Sequence, residues 1–169
     1  MLRLIPPPAH RVLLRSAHVV RLRWWRWRGR LVSGVRVLVR DRQGRVLLVR
    51  HSYGSGSWML PGGGLKRGED PIAAGRREVL EETGCRLQAP VLVAEFAEPI
   101  RGVPSRVDLV AGLCDDSPRI DGREIVEASF YAPDDLPEPL LAGLSQALPA
   151  WLAAADAAGQ ASGQSGIIW

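Results

Sequence analysis

An α/β (α+β) layered domain is what this sequence predicts, on three observations. A valine-rich alternating stretch, 33–51, reads as a strand hairpin. A segment with clear start and stop signals, 71–83, reads as one central helix. Three further strand-like runs and an alanine- and leucine-rich stretch come after it. Strands before and after a single helix, with a second helix at the end, make a layered domain. The length of 169 residues suits one domain with extensions, and 46% apolar residues suffice for an ordinary core.

The chain divides into a basic Arg/Trp-rich extension (1–30), the layered domain (31–158) and a linker-like Gly/Ser/Gln tail (159–169). Charge follows the same division. The first fifty residues hold thirteen arginines and one acid, Asp41, although the whole chain carries only +4. In 11–30, Leu13, Ala17, Val20, Trp24 and Trp27 recur at helical spacing with arginines between them, which reads as a basic amphipathic helix. Three readings compete for it. Its tryptophans pack on the domain or on a second copy, giving a homodimer. It lies on a membrane surface. Or its arginines meet RNA phosphates while its aromatics stack on bases.

In the hairpin, "GVRVLV" and "RVLLVRH" are the strands and "DRQG" the turn. The loop "SYGSGS", 52–57, is a candidate substrate-edge loop or a plain connector. The central helix starts at the N-cap Asp70, with Pro71 at the first helical position, and stops at Gly84. Strands are expected at 87–96, 106–113 and 125–131. A helix is expected at 140–158, where Pro149 is a potential break. Two cysteines, Cys85 and Cys114, make neither a disulfide framework nor a metal-ligand pattern, so a reducing compartment fits. No apolar run reaches the ~18 residues of a membrane span and no clean leader is visible, so the expected location is cytoplasmic.

The chemistry concentrates in 63–85, "GGLKRGEDPIAAGRREVLEETGC". On a helix Glu78, Glu81 and Glu82 share a face, and three adjacent carboxylates repel unless a cation neutralises them. Oxygen-rich clusters suit magnesium, with manganese as the alternative. A solvated acidic face is the ordinary rival reading. By helical periodicity, Pro71, Ala74 and Gly75 sit beside the acids as small residues, while Ile72, Val79 and Leu80 form the core face. Arg77 is placed to orient a carboxylate.

The spacing Gly63, five residues, Glu69, seven residues, Arg77-Glu78-Val79-x-Glu81-Glu82-x-Gly84-Cys85 resembles the Nudix box of the Nudix (MutT-like) hydrolases. "WMLPGGG", 58–64, is similar to the family's approach to that box. The resemblance implies a mixed β-sheet sandwiched between helices. It also implies hydrolysis of a diphosphate linkage in a nucleoside diphosphate joined to another group. By match to the box, Glu78 and Glu82 are metal ligands and Glu81 a ligand or base, while Glu69 and Arg77 hold loop and helix together. Gly62 and Gly63 allow close backbone approach. In some relatives the base lies outside the box, and Glu124 and Glu127 are the candidates here. Trp58 either stacks on a substrate base or packs the hairpin. The rival to an enzyme is a catalytically weak nucleotide-sensing domain tethered by its basic arm to membrane or RNA.

Overall fold

The computed structural model describes residues 32–97, 105–120, 122 and 124–162. The expectations for 1–30 and for 163–169 lie outside them. The elements run β1 (Val32–Arg40), β2 (Val46–His51), β3 (Trp58–Met59), β4 (Gly62–Gly64), α1 (Pro71–Thr83), β5 (Gln88–Ala97), β6 (Ser105–Leu113), β7 (Ile125–Tyr131) and α2 (Leu144–Ala161). Among the described residues no helix is long and apolar enough to cross a membrane.

β1 is the spine of a mixed sheet ordered β3-β2-β1-β6-β5. It runs parallel to β6 from Val32↔Ser105 to Arg40↔Leu113. Alternation then sends its residues to two cores. Val35, Val37 and Val39 join Ala74 and Val79 of α1, and Leu38 joins Leu144 and Leu148 of α2. A sheet with apolar residues on both faces needs a helix on each, and α1 and α2 supply them. The predicted mixed sheet between helices is the observed architecture. Cys85 and Cys114 are buried thiols in the α1-side core.

Several details differ from the sequence reading. The hairpin strands pair only at their closed end, Arg40↔Val46. There Asp41 accepts from the N–H groups of Gln43 and Arg45, at 3.0 and 2.9 Å. Beyond that point the strands part. β4 inserts against β1 (Gly34↔Gly64, Val35↔Gly63, Arg36↔Gly62), and β2 turns to β7. A three-glycine strand has no side chains to signal it, so periodicity could not reveal β4.

Within α1 the core stripe is rotated. Ala74 and Gly75 pack on the sheet, and a Cβ on Gly75 would meet Val37 and Val110 at 3.4 Å. Leu80, expected inside, is 52% exposed. Small residues here let the helix approach the sheet; they do not make room for a ligand. α2 begins at Leu144 because Pro139 and Gly143, at φ 84°, are incompatible with helix. It continues through Pro149 to Ala161, so residues 159–161 of the expected tail are helical. Arg40, on the α2 face, is buried against Asp156 at 2.5 Å. Burial lowers its pKa and Asp156 opposes that.

Candidate active site

Helix α1 carries the acids to β4. The Asp70 carboxylate accepts from Ala73 N–H at 2.9 Å, and Gly84, at φ 68°, donates to the Leu80 carbonyl at 3.0 Å. Between these stops, Glu78 and Glu82 lie one turn apart and both face the glycine strand. Gly62 N–H donates to Glu82 Oε2 at 3.0 Å. The space a Cβ on Gly63 would need is filled by Glu78, whose Oε1 lies 2.5 Å from that position. Glycine at 63 therefore lets the Glu78 carboxylate close on the strand, while glycine at 62 lets the strand close on β1 at Val35.

Arg77 ties the loop before the helix to the helix. Its Nε and Nη2 donate to Glu69 Oε1 and Oε2 at 2.8 and 2.9 Å, a two-pronged pair. Nη1 donates to Glu78 Oε1 at 2.6 Å, and Nη2 to the Gly64 carbonyl at 3.2 Å. Glu69 also accepts from Lys66 N–H at 2.8 Å. These bonds hold the Glu69 carboxyl down at about 2 and raise the Arg77 guanidinium. Arg77 thus positions Glu78 from behind. Glu81 is reached by Arg77 only at 3.5 Å, and its side chain is 60% exposed.

Burial lifts the Glu82 carboxyl well above its ordinary range, the Gly62 N–H opposes this, and the charges of Glu78 and Glu124 add to it. Glu78 is raised too, first by burial, against the pull of Arg77. A cation beside this pair would relieve both. Among the described residues no three acidic, histidine or cysteine side chains converge to cage an ion on their own. That donor set fits magnesium, which takes one or two carboxylates and fills its other positions with waters and phosphate oxygens. Glu78 and Glu82 would hold it, with Glu81 available from the solvent side. Manganese suits the same oxygen donors.

These shifts predict how stability varies with pH. The folded-state pKa values of Glu82 and Glu78 lie above the ordinary 4.5. Between the two values the folded chain binds more protons, so stability rises as pH falls through the folded pKa. Without divalent metal, the thermal midpoint should rise from about pH 8 to about pH 5, and Glu82→Gln should flatten that slope. A midpoint that falls over this range in the unsubstituted chain would contradict the assignment. Glu69 acts oppositely at lower pH: its contribution is present above 4.5 and lost as pH falls toward about 2.

The remaining predicted residues separate. Glu127 is engaged by Arg50, whose Nε lies 3.2 Å from Oε2 and whose Nη2 contacts Oε1. The charge of Glu124 acts on both Glu78 and Glu82. Trp58 is 6% exposed, edge-on to Tyr131 at 5.2 Å, with Arg50 over its ring at 5.8 Å. Of the two readings of Trp58, a ring so enclosed supports packing of the core rather than stacking on a substrate base.

Two residues near the acids were absent from the sequence reading. His51 Nε2 is 3.6 Å from Glu82 Oε1. Tyr53 stands 5.0 Å from the His51 ring and donates its hydroxyl to Glu124 Oε1 at 2.5 Å. Pairing shifts between Arg50↔Glu127 and His51↔Ile125, leaving Val126 as the extra residue of a bulge. Bulges re-aim side chains at sheet ends, and no residue type marks this one. The available signal was a histidine ending a strand just before a glycine-rich loop.

A family model for the NUDIX domain matches residues 30–152. The chain is 34% identical over 109 residues to a MutT-like protein of Streptomyces ambofaciens, covering 63% of this chain and 67% of that one. It is 43% identical over 62 residues to an RNA pyrophosphohydrolase of Bartonella bacilliformis, covering 32% of this chain and 36% of the relative, so it spans about a third of that protein's length. Among solved structures, a MutT NUDIX hydrolase from Burkholderia pseudomallei superposes with a TM-score of 0.63 at 26% identity, covering 71% of this chain and 97% of that one. The matched region runs from just before β1 into α2, and the chain belongs to the Nudix (MutT-like) hydrolase family.

Proposed function

We propose that the chain hydrolyses a diphosphate linkage in a nucleoside diphosphate joined to another group. The observation that carries this is the pair Glu78 and Glu82, gathered against the glycine strand and partly desolvated. When bound, magnesium (or manganese in its place) neutralises phosphate oxygens and acidifies an attacking water. The chain's own residues do the rest. Glu78 and Glu82 would hold the ion. Arg77 keeps Glu78 in place through the Glu69 pair.

Glu124 is the general base in this reading. Glu127 is occupied by Arg50, and Glu81 is turned toward Arg77 and solvent. The charge of Glu124 acts on both Glu78 and Glu82, and in this reading its carboxylate receives the proton of the attacking water.

The rest of the substrate has a place beside Arg36. That arginine pairs with Gly62 across β1 and β4, and its charge acts on Glu82. It also lines a cavity of about 200 Å³ with Leu60, Phe96, Leu144 and Trp151. Phe96 and Trp151 stack there at 5.3 Å. Among the described residues Arg36 is the one charged side chain in that lining, so the cavity suits the flat face of a base and offers little to read its edge.

The test is release of phosphate or nucleotide from a panel of nucleoside triphosphates, nucleotide sugars and capped or triphosphorylated RNA. Turnover of at least one member is expected with magnesium, and its loss with a chelator. No release from any member with either metal would overturn the proposal.

A further inference from the structure

Tyr53 has no part in the machinery described so far, yet it touches it. It lies on the loop 52–57, which folds back on itself through Gly54 and Gly56, at φ 82° and 70°. Two bonds tie that loop to the residue before β7: Ser52 N–H donates to the Glu124 carbonyl at 2.8 Å, and the Tyr53 hydroxyl donates to Glu124 Oε1 at 2.5 Å. The Tyr53 ring lies at 44° to the ring of His51, which itself sits 3.6 Å from Glu82. The ring of Tyr53 therefore stands against the histidine that neighbours Glu82, while its hydroxyl is held by Glu124.

We propose that Tyr53 is a positioning residue, presenting the Glu124 carboxylate to the attacking water. This rests on the reading of Glu124 as general base. An exposed glutamate at a strand end samples many rotamers, and most carry its carboxylate away from the substrate. The phenol fixes one oxygen. Oε2 is then the oxygen that takes the proton as the water oxygen bonds to phosphorus, and the leaving phosphate oxygen departs with the bond's electron pair. The glycine-rich loop that carries Tyr53 thereby becomes a functional part of the site.

The experiment uses the full chain and whichever panel member is turned over. Tyr53→Phe keeps the ring against His51 and removes only the hydroxyl. It should lower kcat roughly threefold to tenfold, with KM and thermal midpoint unchanged. Glu124→Gln should lower kcat further, and adding Tyr53→Phe to it should change nothing more. A Tyr53→Phe chain with unchanged kcat, or the same fold-loss on both backgrounds, overturns the proposal. If Glu124→Gln also turns over fully, the fault lies in the choice of base. If Glu124→Gln is impaired while Tyr53→Phe is not, only the role of Tyr53 fails. A chain without turnover on any panel member fails earlier, at the proposed function.

Discussion

Glu82→Gln should abolish turnover while leaving the fold intact, and should raise the thermal midpoint when no metal is present. Gln matches Glu in shape, and its side-chain oxygen can still accept from Gly62 N–H, at 3.0 Å in the native chain. What disappears is a carboxylate held in a desolvated place beside Glu78 and Glu124, whose charges oppose its ionisation. In the proposed reading, a bound divalent ion offsets that repulsion in the native chain. A neutral amide relieves the repulsion but binds a hard divalent cation poorly. The expected loss in kcat is about a thousandfold or more. Activity is read as magnesium-dependent release from the best panel substrate, and stability by thermal unfolding in chelator. A variant that keeps activity would remove Glu82 from the ion site. One that loses both activity and stability would make its role that of a structural partner for Gly62.

The second large effect separates two neighbouring glycines. Gly62 has φ 151°, and a Cβ there would fall 2.1 Å from the Val35 carbonyl oxygen, which belongs to the sheet and cannot yield. Gly62→Ala should cost about 3 kcal/mol or more in denaturant unfolding. At Gly63 the added atom would meet the Glu78 carboxylate instead, 2.5 Å from Oε1 and 2.6 Å from Cδ. A side-chain end can swing aside, although it must leave the Arg77 bond of 2.6 Å to do so. Gly63→Ala should therefore cost only about 1 kcal/mol of stability. It should cut turnover roughly a hundredfold, because a ligand moved by about 1 Å misplaces the substrate. Equal effects of the two variants on stability would show that the glycine strand has one structural role and no separate part in setting Glu78.

Much of this molecule was legible in its sequence because the signals are local. Asp70, Pro71 and Gly84 bound α1 at the residues observed, since capping and left-handed turns depend on near neighbours. The valine-rich stretch 33–51 located β1 and β2, and the spacing of Glu69, Arg77, Glu78 and Glu82 singled out the helix that carries the candidate site. Other features depended on distant partners. Leu80 faces solvent because Ala74 and Gly75 set the helix against Val37 and Val110. Trp58 is enclosed because Tyr131 and Arg50 reach it from other strands. Glu127 is engaged by Arg50 through strand pairing that no local pattern announces.

By itself, then, the sequence determined the layered class, the capped helix and the type of chemistry, which rest on the order of the elements and on spacing within one continuous stretch, 63–85. The tertiary structure alone decided which carboxylates meet the glycine strand and which is left to the sheet's own ion pairs. It also placed His51 and Tyr53 beside them. Those outcomes follow from a bulge and from β4 slipping between two parting strands, and both are set by contacts between segments far apart in the chain.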